Sequence, residues 1–443
     1  MRKWMMAAAA LFLAVPLFAE AADPALVKVK GKDSQKYSVY TEDGRLYGTP
    51  ALLQKGERWT VTEEKGHFYA EVAVEGTGKK EKVRLTTEDV EGHPLIDVAY
   101  FAPQAGLQYD YDEKKGTISF KKGKVKKDKA DKEQPVLIMW DPDSAFVKDK
   151  PFFSEKAGRR ILSPSWIVAD REGMGEHKFP MDYLRDARAA GVEVAPLMNN
   201  NFDPKETTLF LRNKESTNRT AARMAAYAAV YGFAGYNMDF ENMDPKDKDW
   251  YSDFVSHLAR VLHKNGKTLS VDVTAIVDGS PFWSGCYDRK TLAGEADWMV
   301  FMGYDQTPGA STTAGPVSSY NWLDQHIGKL LGEIPKDKLI LGLPFYTRIW
   351  SGEDGSVTSD VLTQKYQAEF VRKHKLLPTW REKERQFYSL WREGGLKKSV
   401  WLEEERSLAE KLSLVKKYDL AGAAFWRYEF EDGAIYAALE QAL

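Results

Sequence analysis

From residue 136 onward, short apolar runs alternate with amphipathic stretches. The runs cover 136–140, 161–166, 192–198, 235–241, 269–275, 298–304, 339–345 and 422–426. Between them, segments such as 220–231 and 250–263 repeat apolar residues at helical spacing, with Trp250, Phe254, Leu258, Val261 and Leu262 on one side of the second. Eight strand candidates alternating with helices over about 310 residues predict an α/β fold, a (β/α)8 TIM barrel occupying 135–443. The interval 351–421 is too long for one helix and its loops. A small inserted α+β subdomain is expected there, carrying Trp380, Trp391 and Trp401.

The pattern before residue 121 differs. Residues 23–120 hold short alternating pieces at 27–30, 67–74 and 117–120, separated by Gly, Asp and Lys turns, which predict a small β-rich domain. Residues 121–134 read KKGKVKKDKADKEQ, with only Val125 and Ala130 apolar, the composition of a solvated charged linker. The same stretch could instead touch an anionic cell-wall polymer. At the start of the chain, Arg2 and Lys3 precede an apolar run over 4–19, and small residues follow at Ala19 and Ala21. That is the pattern of a signal peptide over 1–22, and its removal would send the protein out of the cell or into the envelope. A retained anchor is the other reading, against which stand the shortness of the run and Pro16.

Composition narrows the function. The chain has 443 residues, 43% hydrophobic and 29% charged, ordinary for a globular protein. A formal charge of −2 supplies no cationic field, so nucleic acid is not an expected partner. After the first segment no run is apolar for long enough to span a membrane. Cys286 is the only cysteine, so no disulfide can form within the chain and its expected place is in a core. Oligomeric state is not written in the sequence.

Catalytic groups of such barrels project from the C-terminal ends of the strands, and the fourth run is the most informative there. In Gly235-Tyr236-Asn237-Met238-Asp239-Phe240-Glu241 the residues Tyr236, Met238 and Phe240 take one face and Asn237, Asp239 and Glu241 the other. Carboxylates two positions apart lie within about 7 Å, close enough for one to raise the pKa of the other and keep it protonated as a general acid. Three readings stand for this set: an ion-paired or solvated strand end, a divalent-metal site, and glycoside chemistry. No further Asp, Glu or His cluster marks the other strand ends, which weighs against a metal. Aromatic residues gather there instead, namely Trp140, Trp166, Tyr304, Tyr346, Trp350 and Trp426, and together they offer faces on which sugars stack.

Asn237-Met238-Asp239-Phe240-Glu241 resembles the end of the DxxDxDxE signature of glycoside hydrolase family 18, and Met302-Gly303-Tyr304-Asp305 resembles that family's MxYD. Similar stretches are Ser163-Pro164-Ser165-Trp166, Pro196-Leu197-Met198-Asn199-Asn200, Gly342-Leu343-Pro344-Phe345-Tyr346-Thr347-Arg348, Trp401-Leu402-Glu403 and Ala424-Phe425-Trp426-Arg427. They look like the bacterial cell-wall and spore-cortex N-acetylglucosaminidase branch. The resemblance implies hydrolysis of β-1,4 bonds after N-acetylglucosamine in peptidoglycan, retaining and substrate-assisted, with no cofactor and no metal. It implies Glu241 as acid and base, Asp239 as the group that orients the 2-acetamido substituent, and Tyr304 as its hydrogen-bond donor. It also implies substrate contacts from Asn237, Met302, Asp305, Trp426, Trp166, Asn199, Tyr346 and Arg348.

Two positions depart from the signature, Ala234 and Asn237 standing where Asp is usual. Ala234 keeps open a barrel that binds wall glycan with little turnover, and chitin or chitooligosaccharide remains the other substrate. Within the β-rich domain, residues 94–102, 107–112 and 115–118 resemble the strand, short helix and hairpin of copper amine oxidase N-terminal-like stalk domains. That resemblance implies a non-catalytic spacer without copper.

Overall fold

The computed structural model describes residues 25–29, 36–42, 45–56, 58–90, 92–115, 117–123, 134–353 and 355–443. The signal-like segment 1–22 and most of the charged stretch 121–134 lie outside the described residues.

Eight parallel strands surround one axis: β1 (Val136–Trp140), β2 (Arg159–Ser163), β3 (Leu197–Asn199), β4 (Gly235–Asp239), β5 (Thr268–Val273), β6 (Trp298–Met302), β7 (Leu339–Pro344) and β8 (Gly422–Trp426). Register pairs run unbroken from β3 through β8 to β1 and β2. Pro196, which has no backbone N–H to give, splits the third strand into Glu193–Val194 and β3. The lower piece pairs with β2, and above it Ala195 N donates to Leu162 O at 2.9 Å and Leu197 N to Pro164 O at 2.8 Å. Those bonds close the ring, so the expected TIM barrel is present.

A closed parallel barrel has two cores. Between strands and helices lies the larger, which takes in Tyr236, Met238 and Phe240. Inside the ring, Val136, Ile138, Trp140, Ile161, Leu197, Val300, Ile340 and Ala424 form a second. Trp140 fills its middle and is fully buried. Gly342 makes room for that ring: a Cβ there would sit 3.3 Å from the indole and 2.6 Å from Phe301 O. Helix Lys214–Tyr231, the longest among the described residues, begins where Asn213 Oδ1 accepts from Glu215 N and Ser216 N at 3.1 and 3.2 Å, and ends at Gly232 with φ 70°.

The N-terminal region is a seven-stranded sheet and a separate meander of Trp59–Glu64, His67–Val74 and Lys79–Arg84. It is seated on the barrel rather than held away from it. Tyr231 OH donates to Arg84 O at 2.7 Å and accepts from Thr86 N at 2.9 Å, while Tyr100 OH donates to Tyr231 O at 2.6 Å. The Arg188 guanidinium lies 3.8 Å over the Tyr100 ring, and Arg185 reaches Glu88 at 2.8 Å and Asp97 at 3.2 Å. Phe101 and Tyr231 belong to one apolar cluster spanning both parts. The two parts thus bury apolar faces against each other.

After β7 the chain leaves the barrel and builds a five-stranded antiparallel sheet of Tyr346–Ser351, Thr358–Thr363, Thr379–Arg381, Gln386–Glu393 and Leu396–Trp401. Helix Gln364–Lys373 covers one face over Leu362, Val400 and Leu402. The insert thus spans 346–401 rather than 351–421, since helix Glu405–Tyr418 starts in its own capping box and packs on the barrel. Just beyond the insert, Glu403 and Lys411 form a fully buried ion pair. Glu403 also accepts from Gln386 Nε2 at 2.8 Å, and its N–H donates to Gln367 Oε1 at 2.8 Å. Burial pushes the Glu403 carboxyl up to about 7 and draws the Lys411 amine down, the mark of desolvation opposing attraction.

Lys411→Met should therefore lower unfolding free energy by about 3–5 kcal/mol, read as a shift of the urea midpoint, because Glu403 is left buried and unpaired. Adding Glu403→Gln should recover most of the loss. A single variant as stable as the parent would contradict this.

Candidate active site

On β4 the alternation places Asn237, Asp239 and Glu241 toward the barrel interior, and β5 does the same with Ser270, Asp272 and Thr274. Asn237 pairs in register with Ser270, so Asp239 and Asp272 stand side by side at the strand ends. Beneath them Asn237 uses its whole amide. Its Oδ1 accepts from Trp140 Nε1 at 2.9 Å and Ser163 Oγ at 3.3 Å, and its Nδ2 donates to Ser270 Oγ at 2.9 Å and Asp272 Oδ1 at 2.7 Å. An Asp at 237 would lose both donated bonds and add a like charge beside Asp272. The neighbours thus ask for an amide at this position.

Asp239 Oδ1 and Asp272 Oδ2 are buried without a partner. Burial first, then the charge of Asp272, holds the Asp239 carboxyl well above the usual range; burial does the same to Asp272 against the bond from Asn237. Two adjacent carboxyls in this setting carry at most one charge between them near neutral pH. Glu241, two residues beyond the strand, has its backbone clamped by Asn200. Asn200 Nδ2 donates to Glu241 O at 2.7 Å, and Glu241 N donates to Asn200 Oδ1 at 3.1 Å. Burial, then the charges of Asp239 and Asp305, pushes the Glu241 carboxyl up to about 8.

A cavity of about 260 Å³ opens above these groups. Asp239, Glu241 and Asp272 share its wall with Tyr304, Asp305 and Tyr346; Met302, Trp426, Phe202, Thr274 and Trp283 complete it. No Lys, Arg or His lines it, and no cluster of His, Cys, Asp or Glu suited to a metal occurs among the described residues. Tyr304 lies edge-on to Trp140 at 6.1 Å and 6.4 Å from Trp426. Burial keeps its phenol protonated well above 10. Asp305, in the left-handed region with φ 52°, accepts from Tyr346 OH at 2.7 Å and lies 3.4 Å from an Arg348 nitrogen.

Most of the expected set converges here: Glu241, Asp239, Tyr304, Met302, Asp305, Trp426 and Tyr346 line the cavity, with Asn237 below it and Arg348 behind Asp305. Two expected residues do not reach it. Trp166 packs in the outer core, 5.2 Å from both Phe179 and Tyr183, with its indole N–H donated to Ser144 Oγ. Asn199 turns its Oδ1 to Asn201 N at 2.9 Å, and its neighbour Asn200 does the positioning. Trp140 and Trp350 are buried and do not line this cavity. Asp272, Thr274, Asn200, Phe202 and Trp283 went unnoticed in the sequence. The alternation Ser270-Asp272-Thr274 was a signal for the first two; the loop residues left none. Ala234 lies at the base of β4, donating to Val194 O at 2.9 Å, roughly 16 Å along the strand from Asp239.

A carboxyl raised in the folded state takes stability away as it ionises. The contribution of Glu241 is intact below its unfolded value near 4.5 and lost as pH rises through about 8. Thermal melts from pH 5 to 9 should show the parent losing midpoint relative to Glu241→Gln across that window. A constant difference would contradict the raised carboxyl.

Residues 168–431 match the family Glycosyl hydrolases family 18. An uncharacterized glycosylase, YvbX, of Bacillus subtilis is 28% identical over 243 residues, 54% of this chain and 70% of that protein. The chain spans 56% and 55% of two further Bacillus relatives, a putative sporulation-specific glycosylase and a cortical fragment-lytic enzyme. Among solved structures, the Bacillus cereus spore cortex-lytic enzyme SleL superposes with a TM-score of 0.61 at 19% identity, over 70% of this chain and 74% of that one. A chitinase from Chromobacterium violaceum does so with a TM-score of 0.60 at 21% identity, over 70% and 98%. These two likenesses are of fold.

Proposed function

For this chain, which belongs to the glycosyl hydrolases family 18 and is a glycoside hydrolase, we propose cleavage of β-1,4 bonds after N-acetylglucosamine in peptidoglycan, by a retaining reaction in which the substrate supplies the nucleophile. The observation that carries the reading is Glu241 standing on the wall of the cavity beside Asp239, Asp272 and Tyr304, where burial pushes its carboxyl up to about 8. Glu241 gives its proton to the glycosidic oxygen as that bond breaks. The oxygen of the sugar's own 2-acetamido group attacks the anomeric carbon and closes a cationic oxazolinium ring. The charge borne by Asp239 and Asp272 stabilises that cation, and the Tyr304 hydroxyl donates to the acetamido oxygen. Water then opens the ring as Glu241, now a carboxylate, takes its proton, so the configuration is inverted twice and retained. Trp426 and Met302 give the sugar an apolar floor, and Asp305, held by Tyr346 and Arg348, faces its polar edge.

Peptidoglycan is favoured over chitin by the signal-like first segment and by the relatives named for cortex lysis. The same features support action in the cell envelope or outside the cell. The N-terminal region, with its stalk-like strand, helix and hairpin, acts in this reading as a wall-proximal module.

Mass spectrometry of products from purified peptidoglycan and from chitooligosaccharides, with Glu241→Gln as control, tests the assignment. New N-acetylglucosamine reducing ends from peptidoglycan are expected, with the variant slower by about 10²- to 10⁴-fold in kcat. Cleavage of chitooligosaccharides alone would move the substrate to chitin, and no cleavage of either would leave a binding protein. For the parent, kcat/KM should fall as pH passes about 8, where Glu241 loses its proton. Tyr304→Phe should reduce kcat by about 10²-fold with the alkaline limb in place.

A further inference from the structure

The inserted sheet has a second cavity, of about 200 Å³, on the face turned away from its helix. Strand alternation puts Tyr346, Arg348 and Trp350 on that face, and the pairs Trp350 with Ser399 and Tyr388 with Trp401 add Lys397, Ser399, Trp401 and Tyr388. Tyr388 and Trp401 lie with ring centroids 4.7 Å apart, tilted by 49°, and both are partly open to solvent. The Arg381 guanidinium sits 4.7 Å from the Tyr388 ring. Lys397 Nζ is 4.0 Å from Glu353 Oε2, a loose pair between a partly exposed lysine and an exposed glutamate. No acidic residue lines this cavity. The same strand joins the two cavities: Tyr346 lines the first and Trp350 the second, with Gly309 packed on Arg348 and Gly315 O accepting from Trp350 Nε1 between them.

The two cavities differ in the groups that line them. The first is walled by the carboxyls of Asp239, Glu241, Asp272 and Asp305, of which only Asp305 has a cation, Arg348, behind it, and no Lys, Arg or His lines the cavity, so a further carboxylate brought there is desolvated with no cation to meet it. The second offers an aromatic pair for a sugar ring and an ammonium for an anion. We propose that it is a distal glycan subsite for a sugar carrying a carboxylate substituent, the ring stacked on Tyr388 and Trp401 and the carboxylate at Lys397 Nζ. This rests on the hydrolase reading above and deepens it. A glycan that alternates neutral and carboxylate-bearing sugars would be held in one register, neutral sugar over Glu241 and anionic sugar at Lys397.

Calorimetric titration of the full chain in the Glu241→Gln background tests it, with two tetrasaccharides as probes: chitotetraose, and a peptidoglycan-derived one in which every second sugar carries a free lactyl carboxylate. Lys397→Ala is expected to weaken the second about tenfold and leave chitotetraose unchanged, with Lys397→Arg restoring most of the difference. Trp401→Ala should weaken both. Equal effects of Lys397→Ala on the two probes, or none on either, overturn the subsite. The hydrolase reading fails separately: if the parent cleaves neither glycan while the charge-dependent binding difference persists, the subsite stands and the reaction falls. Cleavage with no Lys397 effect does the reverse.

Discussion

Carboxyl groups taken out of water with no cation to meet them are the constraint around which this barrel is arranged. Asp239, Asp272 and Glu241 would each be charged in solvent, and their enclosure is tolerated only because protons and hydrogen bonds stand in for a counter-ion. That requires a support which is itself polar, fully satisfied and rigid. Trp140, Ser163, Asn237 and Ser270 form it, a bonded row across four strands whose only open end is Asp272. The apolar half of the interior, with Trp140 at its middle, keeps water from dissolving the arrangement.

A second buried acid shows what the first set is not. Glu403 is as enclosed as Asp239, yet it meets Lys411, Gln386 and Ser407 and has no exposed surface. It ties the insert to the barrel wall, and its charge has nowhere to go. Glu241 has the opposite surroundings: no hydrogen bond at its carboxyl among the described residues, an open cavity beside it, and two acids near enough to hold its proton in place. Burial is common to both residues; the presence or absence of a cation separates a bracket from a reagent.

The barrel was legible because its strands, largely buried on both faces, read as short mostly apolar runs, and because the spacing between them fits helices. The acid strand was legible for a related reason, since Asn237, Asp239 and Glu241 break an apolar run at every second position. Asp272 obeys the same rule and could have been found by it, but Ser270 and Thr274 are weaker markers than carboxylates. Trp166 misled because an aromatic at a strand end looks the same in sequence whether it faces the axis or the helices. The seat of the N-terminal region was not legible at all. Thr86, Tyr100, Arg188 and Tyr231 lie up to 145 positions apart, and none of them alone marks a contact between the two parts.

That seat changes what the charged stretch after residue 123 is for. On one side Gly123 N is bonded to Gly106 O at 2.8 Å, and on the other Val136 N is bonded to Ala421 O at 2.9 Å. The flanks are thus fixed by two bodies that already hold each other. Lengthening the chain between those two fixed ends therefore adds only a slowly growing closure entropy, while the contact between the two bodies keeps its own geometry.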